Sequence, residues 1–269
     1  MNYRVSMIPY GNMAPYRMLG PPAGCAFVEE FPRLSVGSLK GGSVLASCAP
    51  VGGLPALEGT VDYLGAYGIA AAGEVQSVLL LSQVPFGDLS GAHTVWVTDQ
   101  TASSVRLLCL LLGLRRGFDD LPARAPEQAT ATAVLLIGDR ALLAFAHGGH
   151  FEGVSYPFVV DLAAEWYARH RLPFVFARWV VRRDAPAAVC AALAAWLDEF
   201  RRREPELVAA SVPLESARLG LPLLSVAEYH RGIRRVLTPE DLRGQSVFQE
   251  ELQRHERALA RRCREWTGT

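Results

Sequence analysis

Three stretches of this chain carry side chains that could grip or transform a small anion. The first is Thr98-Asp99-Gln100-Thr101-Ala102-Ser103-Ser104, which follows a strand pattern and opens an apolar helix. A helix start offers unpaired backbone N–H groups and a positive dipole end, so hydroxyls gathered there suit a carboxylate or a phosphate. One hydroxyl is enough for a cap. Thr101, Ser103 and Ser104 are therefore either solvated cap residues or an anion-binding turn. The second stretch is Tyr10-Gly11-Asn12, after the first strand. Asn12 either caps a helix or uses its neutral amide to donate and accept hydrogen bonds with a ligand hydroxyl. The third is Gly138-Asp139, at the end of the strand Ala133 to Ile137. A carboxylate at the C-terminal end of a sheet strand suits a general acid or base, and it suits equally a cap for the helix beginning at Arg140. Ser77, which follows Gly73-Glu74-Val75-Gln76, either points toward a ligand or only starts a strand.

Other chemistries lack their signatures. His147 and His150 flank Gly148-Gly149 at a spacing that allows a metal pair, but no third ligand is nearby in sequence, so no metal is expected. There is no Gly-x-Gly-x-x-Gly after a strand, no phosphate loop and no Gly-x-Ser-x-Gly elbow. No cofactor is expected.

These residues must be positioned by short elements of alternating type. Tyr3 to Ile8, Cys25 to Val28, Val44 to Cys48, Ser77 to Leu81, Thr94 to Thr98, Ala133 to Ile137 and Phe174 to Val181 read as strands. Helical patterns cover Ser103 to Leu114, Leu162 to His170 and Ala187 to Arg203. Thr238-Pro239-Glu240-Asp241 is a strong helix start, opening a helix with an expected break near Gly244 and an end near Arg262. Alternation of this kind implies an α/β protein with mostly parallel sheets. Ser82-Gln83-Val84-Pro85 and Arg182-Arg183-Asp184 read as crossovers between two lobes. Residues 1–83 and 183–269 would then form one lobe and 84–182 the other, with a ligand in the cleft.

Composition narrows the class. The 269 residues carry 27 basic and 27 acidic side chains, a balance that gives no reason to hold nucleic acid or an anionic membrane. The 5 cysteines are scattered, with no Cys-x-x-Cys pair, and read as free thiols of a reducing compartment. Met1-Asn2-Tyr3-Arg4-Val5 leads straight into a strand pattern, with no signal-peptide core, and no apolar run approaches a membrane span. A cytoplasmic location is expected.

Several segments together resemble the chorismate dehydratase family of the futalosine route to menaquinone. Asp161-Leu162-Ala163-Ala164-Glu165-Trp166 followed by Leu172-Pro173-Phe174-Val175-Phe176-Ala177-Arg178-Trp179 looks like its most distinctive stretch. Leu135-Leu136-Ile137-Gly138-Asp139-Arg140-Ala141-Leu142, Val75-Gln76-Ser77-Val78-Leu79-Leu80, Thr101-Ala102-Ser103-Ser104-Val105, and Tyr10-Gly11-Asn12 with Pro15 match further segments in the expected order. The matches span roughly residues 3 to 184. Gly11 replaces a usual leucine, Arg178 sits where an apolar residue is common, and beyond residue 184 the resemblance is thin. A sister enzyme that forms 1,4-dihydroxy-6-naphthoate opens with a Ser-Pro-Cys-Pro-Asn-Asp-like motif and carries a histidine turn near Gly138; both are absent here.

The resemblance implies a two-lobed fold of the type II periplasmic binding proteins, each lobe a mixed sheet flanked by helices, and loss of water from chorismate. On that reading Asn12 and Asp139 are the catalytic residues, with the substrate's own enolpyruvyl carboxylate as the alternative base to Asp139, and Tyr10, Ser77, Thr101, Ser103, Ser104 and Gly138 are substrate-binding ones. The fold mostly hosts transport receptors, so a non-catalytic solute-binding or ligand-sensing protein stands as the alternative.

Overall fold

The computed structural model describes residues 3–267. Met1-Asn2, the lead into the first strand pattern, lies outside the described residues. The opening elements are β1 (Tyr3–Met7), α1 (Ala14–Met18), β2 (Cys25–Glu29), α2 (Pro32–Gly41), β3 (Ala46–Pro50) and the long β4 (Val61–Ala71). There follow β5 (Val78–Ser82), β6 (Thr94–Val97), α3 (Ser103–Arg116), β7 (Ala123–Arg124), β8 (Ala133–Ile137) and α4 (Gly138–Ala146). A small ribbon of β9 (His150–Phe151) and β10 (Val154–Ser155) leads to β11 (Phe158–Asp161), α5 (Leu162–His170) and β12 (Phe174–Arg182). The last elements are α6 (Ala187–Leu219), α7 (Leu223–Gly232), β13 (Arg234–Val236), α8 (Pro239–Arg254) and α9 (Glu256–Thr267).

The strands form two larger sheets. One has the order β13-β4-β12-β3-β1-β2, the other β11-β5-β8-β6-β7. Both are mixed. β1 runs parallel to β2 and β3, while β12 is antiparallel to β3. β6 runs parallel to β8, while β5 is antiparallel to both β8 and β11. A mostly parallel arrangement, as the alternation of elements suggests, is thus corrected by β5, β11, β12 and β13, each of which enters its sheet against its neighbour.

Each sheet anchors one of two compact units: the chain up to Ala70 with Val175–Pro239, and Ala71–Phe174 with the chain from Glu240. These bounds correct the expected division at 83/84 and 182/183. β5 pairs with β8 and β11 and so belongs to the second unit, whereas nearly all of β12 pairs in the first sheet. A third crossing, after Pro239, returns α8 and α9 to the second unit. Sheet pairing decides these bounds, and turn composition does not report it.

The first unit is centred on aromatic packing. Tyr16 stacks on Phe200 with ring centroids 3.9 Å apart and meets Trp179 edge-on at 5.4 Å. In the second unit Leu79, Leu81, Val134 and Leu136 are buried in one cluster with Ala141 and Ala144 of α4, and Trp166, Phe174 and Phe248 form a T-shaped cluster. Burying side chains of this size is worth about 1.5–3 kcal/mol each. α6 extends past the expected end at Arg203 to Leu219, through Pro205 and Pro213. Each proline removes one N–H donor; packing on α1 and α7 keeps the helix continuous. The expected break near Gly244 is also corrected. Helix α8 runs on to Arg254, and the interruption falls at His255.

Candidate functional site

β8 is the strand from which the second unit's candidate residues are positioned. Its last residue, Ile137, pairs with Val78, the first residue of antiparallel β5. β6, parallel to β8, pairs Val97 with Leu135. The start of β5 and the ends of β6 and β8 therefore lie at one end of the sheet. Ser77, Gly138 with Asp139, and the Thr98–Ser104 turn all issue from that end, the usual place for ligands in α/β sheets.

The junctions are tightly tied. The Gly138 N–H donates to the Ser77 carbonyl oxygen at 2.8 Å. Gly138 has φ +63°, a left-handed conformation that glycine adopts without steric cost. The Thr98 N–H donates to the Leu135 carbonyl at 3.3 Å, and Thr98 Oγ1 accepts from the Gln100 N–H at 3.5 Å. Thr101 Oγ1 accepts from the Val105 N–H at 3.3 Å, so Thr101 supplies the cap while Ala102 occupies the cap position. Ser77, Thr98, Thr101, Ser103 and Ser104 are all buried. The first turn of α3 contains no acidic residue and its last turn holds Arg115 and Arg116, the charge placement that favours an anion at the N-terminus. Asp139 lies in the first turn of α4, half-buried. Its neighbour Arg140 pairs with Glu152 and lies over the Phe151 ring at 4.9 Å.

Asp161 is the residue that pattern reading undervalued. It ends β11 and caps α5, with Oδ1 accepting from the N–H groups of Ala163 (2.9 Å) and Ala164 (3.1 Å). Its other oxygen accepts from Val75 (2.8 Å) and Gln76 (2.7 Å). Burial pushes this carboxyl up, against four N–H donors that favour its charged form. The strand-Asp-helix pattern was a signal for the cap; nothing local signals the second pair of donors.

The first unit holds Tyr10 and Asn12. Tyr10 is buried with its ring 5.9 Å from Phe31. The turn they form is gripped by two arginines. Arg17 Nη1 donates to the carbonyl oxygens of Ile8 (3.1 Å) and Tyr10 (2.9 Å), and its Nη2 donates to Glu215 at 3.2 Å. Arg235 is fully buried and donates through Nε to the Asn12 carbonyl at 3.1 Å. Asn12 Oδ1 is buried and has no hydrogen-bond partner among the described residues. A buried amide oxygen in that state costs about 1–3 kcal/mol, so it is a ready acceptor for a hydroxyl. Arg178, where the family pattern favours an apolar residue, is buried, donates to the Gly65 carbonyl at 2.7 Å and stacks on Tyr63 at 4.4 Å.

Burial and the positive charges of Arg235 and Arg17 hold His230 down at about 3. Arg235 Nη2 lies 2.7 Å from His230 Nδ1. A guanidinium only donates, so Nδ1 is the acceptor and His230 is neutral. His147 and His150 form a turn, with His150 Nδ1 3.1 Å from the His147 carbonyl. Among the described residues no three His, Cys, Asp or Glu side chains are grouped to hold a metal. Among them, too, no helix is long and apolar enough to cross a membrane.

A family model described as menaquinone biosynthesis matches residues 3–254. The chain is 33% identical over 201 residues to the chorismate dehydratase of Thermus thermophilus, covering 69% of this chain and 71% of that protein. Among solved structures, protein AF1704 from Archaeoglobus fulgidus is similar with a TM-score of 0.67 and 16% identity, covering 95% of this chain and 98% of that one. The periplasmic aliphatic sulphonate binding protein SsuA from Escherichia coli is similar with a TM-score of 0.60 and 16% identity, covering 97% and 91%. At such identities the likeness carries the fold alone, an α/β periplasmic-binding-protein-like architecture.

Proposed function

Because the chain belongs to the menaquinone biosynthesis family, we propose that it is a chorismate dehydratase, a carbon–oxygen hydro-lyase converting chorismate to 3-[(1-carboxyvinyl)oxy]benzoate. The observation that carries this reading is the gathering of buried Ser77, Thr101, Ser103 and Ser104 at one sheet end, beside an α3 N-terminus free of acidic residues in its first turn. Chorismate is a dicarboxylate, and hydroxyls with helix N–H groups bind carboxylates without a cluster of cations.

In the proposed reaction, a base removes the ring proton beside the enolpyruvyl ether. The C–H electron pair moves through the diene toward the ring carboxylate, where Thr101, Ser103 and Ser104 stabilise the developing dienolate. The neighbouring hydroxyl then leaves, hydrogen-bonded by Asn12, and departs as water with the abstracted proton. Aromatisation drives the step, and no redox change is involved. Ser77, Tyr10 and Gly138 orient the substrate. The base is Asp139 or the substrate's own enolpyruvyl carboxylate; near-normal turnover by Asp139→Asn would assign it to the substrate. We place the reaction in the cytoplasm, in keeping with 5 cysteines that form no disulfide.

The test is chorismate consumption by the metal-stripped protein, with the product identified by mass spectrometry. Catalytic formation of a product lighter by one water supports the dehydratase. Stoichiometric binding without turnover overturns it in favour of a receptor, the function that SsuA's name carries for the same fold.

A further inference from the structure

Asp161 spends its two oxygens differently: one caps α5, the other holds the segment that leads into Ser77. The second grip has a backbone consequence. Gln76 sits at φ +62°, in the left-handed region that residues with a β-carbon seldom occupy. Such a conformation persists where the surroundings over-determine it, and such sites cluster where function requires them. Here the surroundings are specific. The Val75 and Gln76 N–H groups both point at Asp161 Oδ2, and one residue later the Ser77 carbonyl receives the Gly138 N–H at 2.8 Å. Asp161 is 9% exposed, Val75 3% and Ser77 3%, so water competes little for these bonds.

We infer that Asp161 is a positioning residue for the reaction: its carboxylate locks Gln76 in the left-handed turn and thereby aims the Ser77 side chain at the substrate. The inference rests on the reading that Ser77 contacts substrate. It assigns Asp161 no contact with the reacting atoms. A carboxylate that served only as a helix cap would need one oxygen, and the cap would be satisfied as well by asparagine or serine. Neither can accept from all four N–H groups.

The experiment is a set of variants read by steady-state kinetics on chorismate and by amide hydrogen exchange. Asp161→Asn and Asp161→Ser retain a capping oxygen for α5 and lose the grip on Val75 and Gln76. Both are expected to fold and to lower kcat about 10- to 100-fold, the scale on which small misplacements act. In a Ser77→Ala background, adding Asp161→Asn is expected to lower kcat less than about twofold, because the two changes act through one group. Gln76→Gly, which adopts positive φ freely, is expected to restore most of the loss in Asp161→Asn; repair of a lost helix cap would not follow from it. Full additivity with Ser77→Ala, or no rescue by Gln76→Gly, overturns the inference. Amide exchange in the unaltered protein provides an arm independent of turnover and of variant folding. The Val75 and Gln76 amides are expected to be protected to a degree similar to those of Ala163 and Ala164, and free exchange at both overturns the inference. If the protein does not dehydrate chorismate, or Ser77→Ala is fully active, the functional reading falls instead, while the exchange result still decides whether Asp161 holds the turn.

Discussion

Arg235 Nε donates a 3.1 Å hydrogen bond to the main-chain carbonyl of Asn12, joining residues 223 positions apart in sequence. The same guanidinium reaches His230 Nδ1 at 2.7 Å and lies 3.8 Å from Glu204. One buried, planar group with several fixed donors thus fixes the turn that presents the Asn12 amide. Lysine offers a single ammonium and cannot reproduce this fork. Arg235→Lys is expected to fold and to lower kcat by about tenfold or more, since the turn loses its fixed donor. Asn12→Ala is expected to lower kcat by at least about tenfold, one hydrogen bond's worth in a dry site. Steady-state kinetics on chorismate check both. Near-normal kcat in Asn12→Ala would remove Asn12 from the mechanism.

The hydroxyls at the start of α3 separate into two roles. Thr101 Oγ1 already accepts from the Val105 N–H, so Thr101→Val should cost about 1 kcal/mol of stability in addition to weakening substrate binding. Ser104→Ala should lower kcat/KM about tenfold or more by removing a hydrogen bond to the developing dienolate. It should leave the unfolding midpoint nearly unchanged. Urea denaturation set beside the kcat/KM values distinguishes the two.

His230 makes folding stability depend on pH. Its ordinary value of 6.5 falls to about 3 in the folded chain, so between these values the unfolded state binds the extra proton. The contribution is complete above pH 6.5 and is lost progressively as pH falls toward 3. At a pH of about 5 the loss is about 2 kcal/mol. His230→Gln, which keeps an acceptor for Arg235 and does not titrate, is expected to show a shallower decline in urea-derived stability from neutral pH to about 5. A decline as steep as that of the parent chain would rule His230 out as its source.

Gly244 is set by packing. A β-carbon there would lie 2.0 Å from the Pro173 carbonyl oxygen, inside any tolerable contact. Gly244→Ala is expected to destabilise the protein by about 1–3 kcal/mol through overpacking, although alanine is the better helix former by about 1 kcal/mol. Thermal or urea unfolding reads the sign, and a stabilised variant would show that α8 moves aside at no cost.

Sequence alone determined what depends on neighbours a few residues away. The dense aliphatic run of β8 matched its expected bounds, as did α5, which starts after an acidic cap. The hydroxyl-rich turn before α3 and the Gly-Asp turn after β8 were legible because strand ends and helix starts have local chemical signatures. β4 was not legible: Gly65, Gly68 and three alanines dilute its apolar pattern, and Gly68 is needed because a β-carbon would lie 2.2 Å from the Ala177 carbonyl.

Tertiary structure decided everything set by distant pairing. Arg234 and Arg235 are indistinguishable as text, yet Arg235 is buried against Asn12 and Arg234 is only half-buried. Asp161 stands in sequence as the residue before a helix, and only the fold brings Val75 and Gln76, 86 and 85 residues away, to its second oxygen. The unit bounds moved for the same reason, since a strand belongs to the sheet that satisfies its backbone hydrogen bonds and not to the turn beside it.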